Sequence, residues 1–129
     1  MEKLRAAMLC LVAMGFSACG SQNGSSTIPP QTWNNLVVRI ETHPSPPESG
    51  MSEIVVVITG PHGKPAGDLT VSLRGDESQP WIQAIQDGFI GVYRRAIDLG
   101  DGQTAIVRVK LQNEAMQKTL LFPIKLAPG

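Results

Sequence analysis

Two cysteines and two histidines are the side chains of this sequence best suited to nucleophilic or metal chemistry. Cys10 lies inside an apolar run, whereas Cys19 lies where that run ends and a polar stretch begins. A thiol at such a place can be a reactive nucleophile, half of a disulfide or a site of covalent attachment. Because a catalytic thiol needs a positioned base and neither histidine is close in sequence, nucleophilic catalysis at Cys19 is disfavoured.

His43 and His62 both lie in loops rich in proline and glycine. A two-histidine copper site would require these loops to meet at one end of the fold. The simpler interpretation is that both are exposed loop histidines. The sequence also offers no paired carboxylates, serine–histidine–aspartate set or phosphate-binding glycine loop in the required context. We therefore predict no metal site, no cofactor and no catalytic residue, and the protein is not predicted to be an enzyme.

Trp81 opens a weak apolar segment that has no clean buried face. We expect it to be a core tryptophan packed between sheets. The alternative is an exposed indole that anchors a binding partner. Trp81, His43 and His62 are thus the candidate ligand-binding residues.

The first 18 residues have the pattern of a secretory signal. Lys3 and Arg5 precede an uncharged, mostly apolar run at 6–18. Such a run makes about 20 Å of helix, short of the roughly 30 Å hydrocarbon core of a bilayer. A basic start, a short apolar middle and small residues at the end indicate export and not a permanent span.

The stretch Phe-Ser-Ala-Cys at 16–19 resembles the lipobox of bacterial lipoproteins. In that class the signal is cut before the cysteine, whose sulfur receives a diacylglycerol, so the resemblance implies lipidation of Cys19. Cys10 would leave with the signal, and the mature chain would have no partner for a disulfide. Gly20, which follows the cysteine, is not the aspartate that retains such proteins at the inner membrane. The resemblance therefore implies the outer membrane, facing the periplasm.

Charge sets limits on the partners of the mature chain. Without residues 1–18, nine basic and ten acidic side chains remain, a net charge of −1. This balance gives no electrostatic footprint for nucleic acid, and no polybasic segment stands out for an anionic membrane surface. The expected partners are the membrane, through the lipid anchor, and a protein of the envelope.

The chain divides into the signal (1–18), Cys19 with a glycine- and serine-rich tether (19–32), and a domain (33–129). The domain alternates apolar and polar residues, which is typical of strands. The predicted strands are 36–41, 54–59, 69–74, 81–85, 93–99, 104–111 and 120–126. Since a sheet with one bare apolar face is unstable, we predict an immunoglobulin-like antiparallel β-sandwich of about seven strands. Pro123 should lie on an edge strand or a bulge.

Residues 50–112 resemble the YtkA-like and FixH-like group of exported bacterial sandwiches. The matching residues are Gly63, Lys64, Pro65, Asp68, Leu69, Gly91 and Tyr93. Some relatives are associated with copper handling or with respiratory-oxidase assembly, through methionine and histidine near the third and fourth strands. Here that region, residues 76–88, contains neither residue type, so no ligand role is carried over. We expect a non-enzymatic binding or scaffold lipoprotein of the envelope, with a periplasmic copper carrier or oxidase assembly factor as the alternative.

Replacing the proposed acceptor thiol tests the anchor. We expect Cys19→Ala to give an uncleaved precursor without diacylglycerol, because the transferred group is attached to that sulfur. Mass spectrometry of the purified chain checks this. An unmodified mature chain that starts at another residue would contradict the prediction.

Overall fold

The computed structural model describes residues 28–128, and in that part of the chain nine strands form. In chain order they are β1 (Gln31–Trp33), β2 (Leu36–His43), β3 (Met51–Thr59), β4 (Thr70–Arg74), β5 (Ile82–Gln83), β6 (Ile85–Gln86), β7 (Val92–Asp98), β8 (Thr104–Gln112) and β9 (Gln117–Lys125). A 3₁₀ turn, Pro61–Gly63, separates β3 from β4. The predicted signal, Cys19 and the tether up to residue 27 lie outside the described residues. Among residues 28–128, the structure has no helix of the length and hydropathy that a bilayer span requires.

The strands form two antiparallel sheets that pack face to face. The five-stranded sheet has the order β1-β2-β3-β7-β6, and the four-stranded sheet has the order β5-β4-β8-β9. Apolar side chains from both sheets fill the space between them, and Val38, Ile54, Leu73 and Phe122 are fully buried there. The domain is therefore an all-β sandwich, as the alternation predicts.

The pairing of β8 with β9 shows how alternation builds this core. Val107 pairs with Phe122 and Val109 pairs with Leu120, and all four side chains are buried. Successive residues of a strand point to opposite faces, so the residue between the two valines, Arg108, lies on the outer surface. The same rule applied to β4 buries Val71 and Leu73.

One extended segment belongs to both sheets. β5 pairs with β4, and two residues later β6 pairs with β7 of the other sheet. Between them the N–H of Ala84 donates to the carbonyl of Val71, 2.7 Å away. The segment thus closes one side of the sandwich. The change of sheet also explains why residues 81–85 show no regular alternation of buried and exposed side chains, because β5 and β6 belong to different sheets.

The opposite side is closed by side chains. Nε2 of Gln31 on β1 donates to the carbonyl oxygen of Leu121 on β9, at 2.5 Å. Nearby, Nδ2 of Asn34 lies 3.2 Å from Sδ of Met116. These contacts join the edges of the two sheets, which limits pairing with another chain.

Each of the seven predicted segments overlaps an observed strand, and residues 81–85 overlap both β5 and β6. The expectation for Pro123 is confirmed, since β9 is an edge strand of the four-stranded sheet. β1 is the element that the alternation does not indicate, because it has three residues and lies within the polar stretch. The sandwich begins at Gln31, two residues before the predicted boundary at Trp33.

The turn that precedes β7 requires glycine for two reasons. Gly91 has φ +84°, and a Cβ there would lie 2.7 Å from the carbonyl oxygen of Ile58. That approach is part of a pairing, because the N–H of Ile58 donates to the carbonyl of Gly91 at 2.9 Å. Gly50 has nearly the same φ, +85°, but its Cβ would meet nothing within 4 Å.

Alanine variants of these two glycines separate the energetic cost of backbone strain from the cost of steric overlap. We expect Gly50→Ala to lower the free energy of unfolding by about 1–2 kcal/mol, the cost of a left-handed conformation. Gly91→Ala should cost about 1–3 kcal/mol more, since the methyl group displaces a packed backbone. Urea denaturation of both variants measures the difference. Equal losses would show that the close approach at Gly91 is absent.

Candidate functional site

The two histidines lie at opposite ends of one hairpin. His43 ends β2 and pairs with Glu53, whereas His62 lies beyond Thr59, at the other end of β3. Six residues of strand from Glu53 to Thr59 span about 20 Å at 3.3 Å per residue. Both side chains are exposed. The structure therefore does not bring His43 and His62 together, and they cannot be ligands of one ion.

Trp81 lies on the outer surface of the four-stranded sheet. Leu73 pairs with Ile82, so the residue before Ile82 lies on the outer face beside Arg74. The indole is partly buried and is not part of the hydrophobic core. The expectation of a core tryptophan is therefore wrong. The segment that closes the core begins after Trp81 and changes sheet at Ala84. The indole therefore lies outside the space between the two sheets.

Two cations lie over the indole ring. The guanidinium carbon of Arg74 is 4.3 Å from the ring centroid, and Nζ of Lys110 is 4.7 Å from it. Both distances are within the range of cation–π attraction. The ring therefore contacts two positively charged groups at the sheet surface.

The guanidinium groups of neighbouring strands are held by the backbone. Register places Arg74 of β4 opposite Arg108 of β8. Nη1 of Arg74 donates to the carbonyl oxygens of Glu77 and Gln79, at 3.3 and 3.4 Å, and Nη1 of Arg108 donates to that of Gly75, at 3.3 Å. A carbonyl oxygen fixes an arginine without neutralising its charge. These bonds therefore position both guanidinium groups without supplying a counter-charge, at sites that are partly exposed to solvent.

Carboxylates near these arginines lie in the loop between β4 and β5. Oε1 of Glu77 is 4.0 Å from Nη2 of Arg108, and its side chain is 79% exposed. The Arg108 side chain is 15% exposed, but at that distance from a solvent-exposed carboxylate the pair is weak. The pKa of Asp76 is lowered, chiefly by hydrogen bonds from the backbone and hydroxyl of Ser78, with smaller effects of Arg108 and Arg74. Asp76 thus remains ionised and orders the loop.

Basic side chains dominate the four-stranded sheet. Strands β4, β5, β8 and β9 contain no aspartate or glutamate. Their basic residues are Arg74, Arg108, Lys110, Lys118 and Lys125. The strands of the five-stranded sheet balance three arginines with three carboxylates. We call Arg74, Trp81, Arg108 and Lys110 the basic face.

An apolar strip borders the basic face. Leu121 pairs with Arg108, and Ile106 pairs with Pro123, so these side chains are direct neighbours on the outer surface. Leu121 is 50% exposed and Ile106 is 37% exposed. Charged and apolar groups therefore meet on one sheet surface, which is a composition found at binding interfaces.

Other surface features gather fewer functional groups. Phe89 and Ile90 are 75% and 60% exposed at the turn before β7. An open cleft at the end of the sandwich near Ser49 is lined by Gln103 and Lys125. Within residues 28–128, no three side chains of His, Cys, Asp or Glu are close enough to hold a metal ion.

Comparisons with known proteins bear on the fold. No family model and no curated protein matches this chain. A DUF4426 family protein from Pseudomonas aeruginosa PAO1 has a similar solved structure, with a TM-score of 0.51 and 17% sequence identity. The match covers 78% of this chain and 98% of that one. At this identity the likeness shows a shared fold and nothing further.

The three cations of the basic face are not among the residues that the sequence indicates as candidates. The sequence signal for these cations lies in the outward-facing residues of β4 (TVSLR) and β8 (TAIVRVKLQ). Every charged residue among them is basic. The signal becomes visible only after strand register brings positions 74 and 108 together.

Substitution of Trp81 tests its role at the surface. We expect Trp81→Ala to lower the free energy of unfolding by about 1–3 kcal/mol, from two exposed cation–π contacts and partial burial. Trp81→Phe keeps an aromatic face and should cost less. Chemical denaturation measures both. A loss of about 3–5 kcal/mol, which is usual for truncation of a core tryptophan, would contradict the surface placement.

Proposed function

We propose that this chain is a lipid-anchored, non-enzymatic lipoprotein of the bacterial envelope, which acts by binding an anionic partner through its basic face. The anchor is a diacylglycerol on Cys19, and the expected location is the outer membrane, facing the periplasm. The observation that carries the binding proposal is the set of cations fixed by Trp81 and by loop carbonyls on strands that contain no carboxylate.

Fixed cations favour binding because less side-chain freedom is lost when an anion docks. Arg74 and Lys110 rest on the indole, and Arg108 is held by Gly75. An arginine presents a planar fork that suits carboxylate and phosphate groups. Order that exists before binding lowers the entropic cost of association.

The path of the chain is compatible with an anchor at Cys19. Eleven residues separate Cys19 from Gln31, where the sandwich begins. A flexible segment of that length has a reach of about 20 Å. Gln31 lies on β1, the edge strand of the five-stranded sheet, and its side chain contacts Leu121 on β9, so the tether joins the domain on the side where the edges of the two sheets meet.

The resemblance to YtkA-like and FixH-like proteins stays a prediction, and so does the alternative of a copper carrier. A copper site would need ligands other than the pair His43 and His62, because these lie at opposite ends of one hairpin.

Matched charge reversals test the binding surface. Dextran sulfate is a suitable polyanion probe for the mature acylated chain in non-ionic detergent. We expect Arg108→Glu to lower the salt concentration at which the protein elutes from a dextran sulfate column. Arg39→Glu makes the same change of net charge on the exposed face of the five-stranded sheet and should shift elution much less. Equal shifts would contradict the proposal, because retention would then follow net charge alone.

A further inference from the structure

The basic face combines the groups that suit the surface of an anionic bilayer. Arg74, Arg108 and Lys110 supply charge, the indole of Trp81 is amphipathic, and the apolar strip lies immediately beside them. Basic residues are attracted to anionic headgroups, and tryptophan is enriched at the membrane–water interface. These groups lie on neighbouring strands of one sheet surface or directly before β5, so they can contact the headgroups together.

The place where the chain enters the sandwich favours the membrane over other anionic partners. Nε2 of Gln31 contacts the carbonyl of Leu121, which belongs to the apolar strip. A tether from an acylated cysteine thus reaches the domain on the side where β1 and β9 lie, next to the apolar strip. A flexible tether of this length, with a reach of about 20 Å, would keep this face at a high effective concentration near the headgroups.

We propose that the basic face and the apolar strip lie against the anionic phospholipid headgroups of the leaflet that holds the anchor. The five-stranded sheet, with its balanced charges, then faces away from the bilayer. This inference rests on the proposed function, because the tether brings the domain to a membrane only if Cys19 is acylated.

A fluorophore on each sheet tests the orientation. The two cysteines of the chain are Cys10, removed with the signal, and Cys19, blocked by its lipid, so an introduced cysteine is labelled uniquely. Leu121→Cys places an environment-sensitive dye in the apolar strip, and Val37→Cys places one on the outer face of the five-stranded sheet. The labelled, acylated chains are reconstituted into vesicles of phosphatidylcholine alone or mixed with phosphatidylglycerol.

We expect the dye at position 121 to show a several-fold rise in emission with phosphatidylglycerol, and the dye at position 37 to show little change. High salt, or Arg108→Glu with Lys110→Glu, should remove the rise, whereas Arg39→Glu should leave it. A small rise that is equal in both lipid mixtures would overturn the inference. So would an unchanged signal on vesicles that becomes strong when an acidic protein binds, because the face would then be a protein interface.

Flotation of the vesicles separates the two levels of the argument. Protein that floats with both lipid mixtures but gives no response at position 121 refutes the membrane-facing orientation and leaves the anchor intact. Protein that floats with neither mixture refutes the anchor, and the orientation with it. Urea denaturation of each labelled chain confirms that the sandwich is folded.

Discussion

The change of sheet at Ala84 is the constraint on which the rest of this structure depends. A single extended segment pairs first with β4 and then with β7, which joins the two sheets along one side. The same change places Trp81 ahead of the closing segment, on the outer surface beside Arg74. The fold and the candidate binding surface therefore share one local cause. Without this change of sheet, nothing would place the indole of Trp81 across the basic strands β4 and β8.

The net charge of this protein does not reveal how its charged residues are distributed between the two sheets. The mature chain has almost no net charge, yet its two sheets differ strongly. Carboxylates lie in the loops and in the five-stranded sheet, whereas every charged residue in the strands of the four-stranded sheet is basic. A field of this kind acts over about one Debye length, near 8 Å at physiological salt, so it is felt by a partner that touches the face. Net charge excludes long-range attraction to a polyanion but does not exclude a basic contact surface.

Much of the fold follows from the sequence because alternation is a local property. The strands around Val107, Leu73 and Phe122 are clear from their neighbours alone, and Pro123 marks an edge because it cannot donate a ladder hydrogen bond. The segment at 81–85 is different, because its pattern reports two sheets at once. A prediction that treats it as one strand finds no face for it and assigns Trp81 to the core.

The basic face could not be predicted in the same way, because register is not local. Arg74 and Arg108 are 34 positions apart in the chain and become neighbours through the pairing of β4 with β8. A scan for contiguous basic segments finds nothing there. The likeness to a solved DUF4426 family protein supports the sandwich but carries no information about this surface.

Lysine reactivity measures contact at the basic face most directly. Acetylation rates of the acylated protein can be followed by mass spectrometry on vesicles with and without phosphatidylglycerol, with Lys64 in the β3–β4 loop as the reference. The account predicts that the anionic lipid slows modification of Lys110 several-fold and leaves the rate at Lys64 unchanged. A rate at Lys110 that is the same on both kinds of vesicle would contradict it.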